Sequence, residues 1–413
     1  MKYVNDAFET WTDKWCISPF NFCAEVRSTL NLPEKVRICD LTLREGRQIE
    51  GVSLDLTEVL TIAEALVGAG VSMLQIHHDE PREMMEIKKR FPELEVEGLV
   101  HPTASLDVVH CKEVVDEIVD HGADIVDLSL CFSEPQRPLY RRIAGREVSP
   151  EEALELTVQS VAYIASTPAT CAILLPDPMR MEMHELKTII ARLIDAGAEI
   201  LRLDDVVGQG IYPAYRYLFT ELTTTFPDAR FAFHVHNDIG MGAASLYAAL
   251  EGGAQILDAS VNGLGERAGI GALAEVAAVL QIWYGLDAGI HLDRMKALSE
   301  LVADLTKWPV PAKMPCVGDQ VFSDLVEVHY RPPEGAEWCY SQWKPEIFGN
   351  RKRVMLGQYS GPYALRAKAR ELGIALDEDR IPELLGRVRA HIRQRKRPMR
   401  DEEFAALVDG LGR

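Results

Sequence analysis

VRICDLTLREGRQ (36–48) begins as a short apolar run and ends in a cluster of polar residues, and this pattern decides the fold. It recurs at VSMLQIHH (71–78), LEVEGLV (94–100), ADIVDLSL (123–130), TCAILLPD (170–177), AEILRLDD (198–205), RFAFHVHND (230–238) and QILDASVNG (255–263). Each run has the length and composition of a buried strand. Stretches with helical periodicity lie between them, among them 55–69, 107–121, 150–166, 184–196 and 271–284. Several close on glycine, as in VGAGV, DHGAD, DAGAE and LEGGA, where a left-handed residue ends a helix before the next strand. Eight strands alternating with helices from about residue 36 to 286 predict a (β/α)8 TIM barrel. An open doubly wound sheet is the alternative, but the GxGxxG loop such a sheet more often carries after its first strand is absent. The division expected is an N-terminal extension over 1–34, the barrel over 35–290, and a linker with a smaller, mostly helical C-terminal subdomain over 291–413.

The 413 residues are 47% hydrophobic and 26% charged, enough for a large core. The formal charge of −19 repels phosphate backbones and anionic lipids, so neither nucleic acid nor membrane is an expected partner. The basic run RQRKRPMR (393–400) reads as a solvated helix end. No secretory signal opens the chain, and no apolar run reaches the roughly 18 residues that span a bilayer. The eight cysteines form no CxxC pair, and Cys39, Cys131 and Cys171 fall within or beside strand-like runs. They are read as reduced core residues of a soluble cytoplasmic protein.

In barrels of this kind chemistry sits at the C-terminal strand ends. FHVHND (233–238) puts His234 and His236 on one face of a strand, two residues apart, a spacing that suits a divalent ion. A lone HxH is as readily a structural pair; its place at a strand end favours ligands. Glu45, after the first strand, is the natural third ligand. Arg44 beside it sets a permanent, directional cation where an enolate or alkoxide would develop. Taken alone, Arg44 and Glu45 also fit a surface salt bridge.

DLTLREGRQ (40–48), HVHNDIGMG (234–242) and VNGLGERAG (261–269) together resemble the three signature segments of the DRE-TIM metallolyases, with matching order and spacing. That family includes isopropylmalate, citramalate and homocitrate synthases and 3-hydroxy-3-methylglutaryl-CoA lyase. LLPDPMR (174–180) and DDVVG (204–208) are similar to the family segments after strands five and six. VPAKMPCVGDQVF (310–322), EWCYSQWKPEIFG (337–349) and VMLGQYSGPYALRAKARELGI (354–374) look like the C-terminal subdomain of the condensing enzymes, which the lyases lack. Where the lyases carry a catalytic cysteine, this chain reads Gly-Glu-Arg. Glu45 and GERAGI resemble the homocitrate synthase branch, and Ile270 stands where isopropylmalate synthases have an asparagine.

The resemblance implies a Claisen-type condensation of an acyl-CoA, usually acetyl-CoA, with a 2-oxo acid, driven by thioester hydrolysis. It implies Mg²⁺, Mn²⁺, Zn²⁺, Co²⁺ or Fe²⁺ on Glu45, His234 and His236, with Arg44 stabilising the carbonyl oxygen. His329 in LVEVH aligns with the family's general acid/base, contributed across a homodimer, and Tyr340 aligns with a nearby family tyrosine. Gln48, Gln75, His77, His78, Arg180 and Val206 form the implied substrate-binding set.

The departures cluster on that set. Val206 replaces a threonine that helps hold the substrate carboxylate and cannot donate a hydrogen bond. Gln75 replaces the glutamate that pairs with the catalytic arginine. His77 and His78 stand where small or apolar residues are commoner, and Val326-Glu327 replaces the Ser-Gly before His329. An altered 2-oxo acid with a second acidic or phosphonate group is the expectation drawn from them. A lyase or aldolase on the same barrel is the alternative function, and a catalytically inactive binding barrel a third.

Overall fold

The structure is a computed structural model, and it describes residues 8–325, 329 and 338–410 together with the backbone of Val4 and Asn5. The chain forms two compact units, Phe20–Pro309 and a second made of Met1–Pro19 with Val310–Arg413.

The first unit is a closed barrel of eight parallel strands. They are β1 (Arg37–Asp40), β2 (Met73–His77), β3 (Glu95–Val100), β4 (Ile125–Ser129), β5 (Thr170–Pro176), β6 (Ile200–Asp205), β7 (Arg230–Val235) and β8 (Ile256–Ala259). Each lies within a run expected from the sequence, and β8 pairs with both β7 and β1, which closes the ring. An open sheet would leave two edges unpaired; here no barrel strand has one.

The helices fall where the periodicity places them, including Leu56–Gly68, Val108–Asp120, Pro150–Ile164 and Met183–Asp195. Their starts are fixed by local chemistry. Asp55 accepts from the Glu58 N–H while Glu58 returns a bond to the Asp55 N–H, a complete capping box. Asp107 and Ser149 cap their helices the same way from one side. DHGAD and DAGAE end their helices with Gly122 and Gly197 at positive φ.

Alternation along the strands sorts side chains between the inside of the barrel and its helical jacket. Met73, Ile125, Ala172, Ile200, Ala232 and Ile256, in the first half of their strands, belong to a buried apolar cluster that Cys39, Leu41 and Ile270 complete. Two residues further along, the same parity brings in Gln75, Glu97, Asp127, Arg202 and Asp258, all fully buried. The barrel thus has an apolar base and a charged middle, and the strand ends above carry the candidate site.

The barrel unit continues past residue 290, because helix Met295–Thr306 packs on Leu56–Gly68. It is also tied to the loop after β8: Ser299 Oγ donates to Asn262 Oδ1 (2.5 Å), and Asn262 Nδ2 donates to the Ser299 carbonyl (3.0 Å).

The second unit is largely helical, with Pro362–Glu371, Ile381–Arg395 and Asp401–Asp409 enclosing a core of Leu356, Leu365, Leu384, Val388 and Phe404. Trp15 bridges to Trp343, and Phe8 stacks on Trp15 with ring centroids 6.0 Å apart. The basic run closes helix Ile381–Arg395, and Arg397 pairs with Glu403. Among the described residues no disulfide joins any of the eight cysteines. Among the described residues no helix is long and apolar enough to cross a membrane.

Candidate metal centre and active site

Glu45, His234 and His236 converge above the charged middle of the barrel, each offering one ligand atom within 4.8 Å of the others. All three are buried. β7 supplies His234, His236 follows its last residue in a bridge to Ile270, and the turn after β1 supplies the carboxylate. Glu45 is fixed from two sides: Arg44 Nη1 donates to Oε2 (2.5 Å), and the Glu266 N–H donates to Oε1 (2.8 Å). Burial alone would raise the Glu45 carboxyl, but Arg44 and then His234 and His236 bring it below the usual range. Burial holds both histidines below theirs, His234 by a wide margin.

The result is one carboxylate and two neutral imidazoles on one concave site. This donor set fits a divalent cation, since ligating groups must be unprotonated. His234 Nδ1 faces Asp258 Oδ2 at 3.2 Å, which leaves Nε2 as its ligand atom. His236 Nε2 faces Glu45 Oε1 at 4.0 Å.

Beneath the trio runs a continuous polar network. Arg44 Nε donates to Gln75 Oε1 (2.5 Å), and Gln75 Nε2 donates to Glu97. Arg202 lies at the centre, paired with Glu97, with Asp127 (2.5 Å) and with Asp258 Oδ2 (3.0 Å). Burial pushes Asp127 well up against the pull of Arg202, and pushes Asp258 up too. Gln75 thus binds Arg44 through its amide oxygen. Arg44 Nη2 is buried without a partner, a donor left over for a ligand.

The other predicted residues divide by location. Gln48 is exposed just beyond Glu45, its N–H bonded to the Glu45 carbonyl (3.0 Å). Arg180 Nε faces both oxygens of Asp177, at 2.7 and 2.8 Å. Val206 is half-buried after β6, and its carbonyl accepts from Arg267 (2.5 Å). His77 ends β2, with His78 beside it. His329 and Tyr340 belong to the second unit, where their rings lie 4.1 Å apart. Val326 and Glu327 lie outside the described residues.

Sequence reasoning missed the partners beneath and around the trio. Arg202, Glu97, Asp127 and Asp258 each interrupt an apolar run at the inward parity: LRL, VEG, VDL and LDA. A charge in that setting must be paired, and this was the available signal. Asp204, by contrast a strand-end carboxylate plain in the sequence, is in register with His234 on the neighbouring strand, buried with Oδ1 unpartnered and its carboxyl pushed well up by burial. The Glu266 N–H had no sequence signal, because a backbone donor has no residue type. Gly208 is also required: it sits at φ 61°, and a Cβ there would lie 2.5 Å from the His236 carbonyl oxygen.

Comparison with known proteins gives a consistent picture. The HMGL-like family model matches residues 35–302. A homocitrate synthase of Saccharolobus islandicus is 31% identical over 359 residues, 86% of this chain and 76% of that protein. A 2-isopropylmalate synthase of Methanocaldococcus jannaschii is 30% identical over 391 residues, 92% of this chain and 73% of that protein. Among solved structures, the HMG-CoA lyase of Bacillus subtilis superposes with a TM-score of 0.58 at 19% identity, covering 68% of this chain and 96% of the lyase. At that identity the likeness concerns the fold.

Proposed function

The chain belongs to the HMGL-like family, and from that premise we propose that it condenses an acyl-CoA, acetyl-CoA, with a 2-oxo acid to give a 2-hydroxy di- or tricarboxylate. The two relatives named as synthases, at 30% and 31% identity over most of the chain, support condensation. The observation that carries the reading is the convergence of Glu45, His234 and His236 beside the unpartnered Nη2 of Arg44.

A divalent ion held by Glu45, His234 and His236 supplies Lewis acidity toward the 2-oxo acid and a template for it. Mg²⁺, Mn²⁺, Zn²⁺, Co²⁺ and Fe²⁺ all accept such a donor set. Arg44 presents Nη2 to the keto oxygen as charge develops there, its other nitrogens being held by Gln75 and Glu45. His329, packed on Tyr340, moves protons as general acid/base, contributed by a second copy in a homodimer. The methyl carbon of the acyl group loses a proton and bonds to the keto carbon, whose oxygen gains a proton to become a hydroxyl. Water then splits the thioester, and coenzyme A leaves as the free thiol.

Gln48, Gln75, His77, His78, Arg180 and Val206 form the substrate-facing set. The departures at Gln75, His77, His78 and Val206 favour a 2-oxo acid with a further acidic or phosphonate group. Eight free cysteines fit a reducing cytoplasm.

The test is free-thiol release from acetyl-CoA across a panel of 2-oxo acids. Thiol appearing only when a 2-oxo acid is present is expected. Pyruvate or aldehyde release independent of coenzyme A would replace condensation with a lyase reaction. Activity confined to 2-oxoglutarate would remove the altered-substrate reading and leave the condensation intact.

A further inference from the structure

We propose that His77, His78 and Asp79 form a second cation site at the barrel mouth, distinct from the Glu45–His234–His236 centre and suited to a transition-metal ion of the Zn²⁺ or Co²⁺ class. Their ligand atoms lie within 4.8 Å of one another. Asp79 divides its carboxylate between the rings: Oδ2 is 3.2 Å from His77 Nδ1, and Oδ1 is 3.0 Å from His78 Nε2.

The sequence produces this by ending a strand. β2 stops at His77, so His78 escapes the alternation that would send it to the opposite face, and the two rings lie 4.6 Å apart. Backbone groups orient them. His78 Nδ1 lies 3.2 Å from the Leu99 carbonyl, and in the tautomer that donates to it the Nε2 lone pair faces Asp79. The Asp79 N–H donates to His77 Nδ1 at 3.3 Å, so that nitrogen is unprotonated, and an ion bound there would replace this long hydrogen bond. His78, with its other nitrogen held by the main chain, has the arrangement that orients metal ligands.

Charge favours a cation over an anion. His101 brings a third ring, its centroid 5.9 Å from that of His77. Imidazoles this crowded disfavour protonation, and burial with His78 nearby pushes His77 down to about 4. At neutral pH His77 is therefore uncharged beside a carboxylate. An anion would meet Asp79, whereas a cation would be bound by it. Two imidazoles and a carboxylate match borderline-soft divalent ions better than Mg²⁺ or Ca²⁺. Asp79, with its side chain 71% exposed, has room to rotate onto an ion.

The location gives the site a use. His77 follows Gln75 by two residues with the same inward parity, and Gln75 accepts from Arg44. An ion there would neutralise Asp79 and receive an acidic group at the far end of a substrate held at Arg44. That use rests on the condensation reading; the ion site itself does not.

The test counts ions without turnover. Full-length protein, stripped by chelator, is dialysed to equilibrium against Co²⁺, and bound metal is measured by elemental analysis. Wild type is expected to hold about two ions per chain, and His78→Ala, Asp79→Asn and Glu45→Gln a single ion each. Wild type holding a single ion, or Asp79→Asn and His78→Ala both retaining the wild-type count, would overturn the second site. Asp79 is exposed, so its variant tests the proposal even if a variant in the barrel interior fails to fold. Neither outcome depends on the reaction catalysed.

Discussion

Asp258 Oδ2 lies 3.2 Å from His234 Nδ1, and the same oxygen lies 3.0 Å from Arg202 Nε. The candidate ligand is thereby oriented from the fully buried middle of the barrel. A carboxylate behind a histidine fixes its tautomer and raises its basicity. Asp258→Asn keeps the shape and removes the charge. It is expected to weaken metal binding by about 10- to 100-fold, measured by competition with a chelating dye. Unchanged affinity would make Asp258 a partner of Arg202 alone.

Arg44 divides its guanidinium between Gln75, Glu45 and an open position. A lysine's three donors radiate from one nitrogen and do not reproduce the planar fork that reaches both partners and still presents a donor. Arg44→Lys is expected to lower kcat by roughly 10²- to 10³-fold, the cost of losing one preorganised oxyanion donor, with the metal count retained. Steady-state kinetics beside elemental analysis separates the two effects. A lysine variant with wild-type kcat would show that Arg44 does not face the reacting oxygen.

Asp40 gives a pH prediction away from the site. Burial pushes its carboxyl up to about 7, opposed by the Thr42 N–H that donates to Oδ1 at 2.9 Å. A folded-state value above the unfolded one favours the neutral acid. Its contribution to stability is complete below about 4 and is lost as pH rises toward about 7, at roughly 1.4 kcal/mol per pH unit. Asp40→Asn does not titrate. Its melting temperature relative to wild type is expected to climb between pH 5 and pH 7 and then level off. A difference constant across that range would show that Asp40 has an ordinary carboxyl.

Gly208 sits at φ 61° with its missing Cβ 2.5 Å from the His236 carbonyl oxygen. Gly208→Ala combines backbone strain with a clash against the backbone of His236, just past the end of β7. A loss of about 1–3 kcal/mol in stability is expected, read from urea unfolding. Metal affinity should fall with it, because His236 cannot keep its place while its carbonyl moves. Gly68, helical and with nothing within 4 Å of a built Cβ, is the control at which alanine is expected to be harmless.

Much of the site was legible because barrels place chemistry by parity and strand end. His234 and His236 announced themselves as two imidazoles on one face, and Glu45 as a carboxylate at the end of the first strand. What closes around them was less visible. Glu45 is held by a backbone N–H from residue 266, and Asp258, Arg202 and Gln75 come from three different strands. Each of those is one unexceptional residue in its own run, and only the ring closure brings them together.

The sequence by itself determined the strand–helix alternation and the identity of the three candidate ligands, because period and parity are local properties of the chain. It also carried the departures at Gln75, His77, His78 and Val206 that bear on the substrate. Only the tertiary structure decided that Gln75 still binds Arg44, that Arg44 keeps one donor free, and that His77 and His78 lie side by side over Asp79. Those relations depend on where a strand stops and on which strands become neighbours when the barrel closes. Distances of a few ångströms between residues tens of positions apart are set by that closure, not by any local pattern.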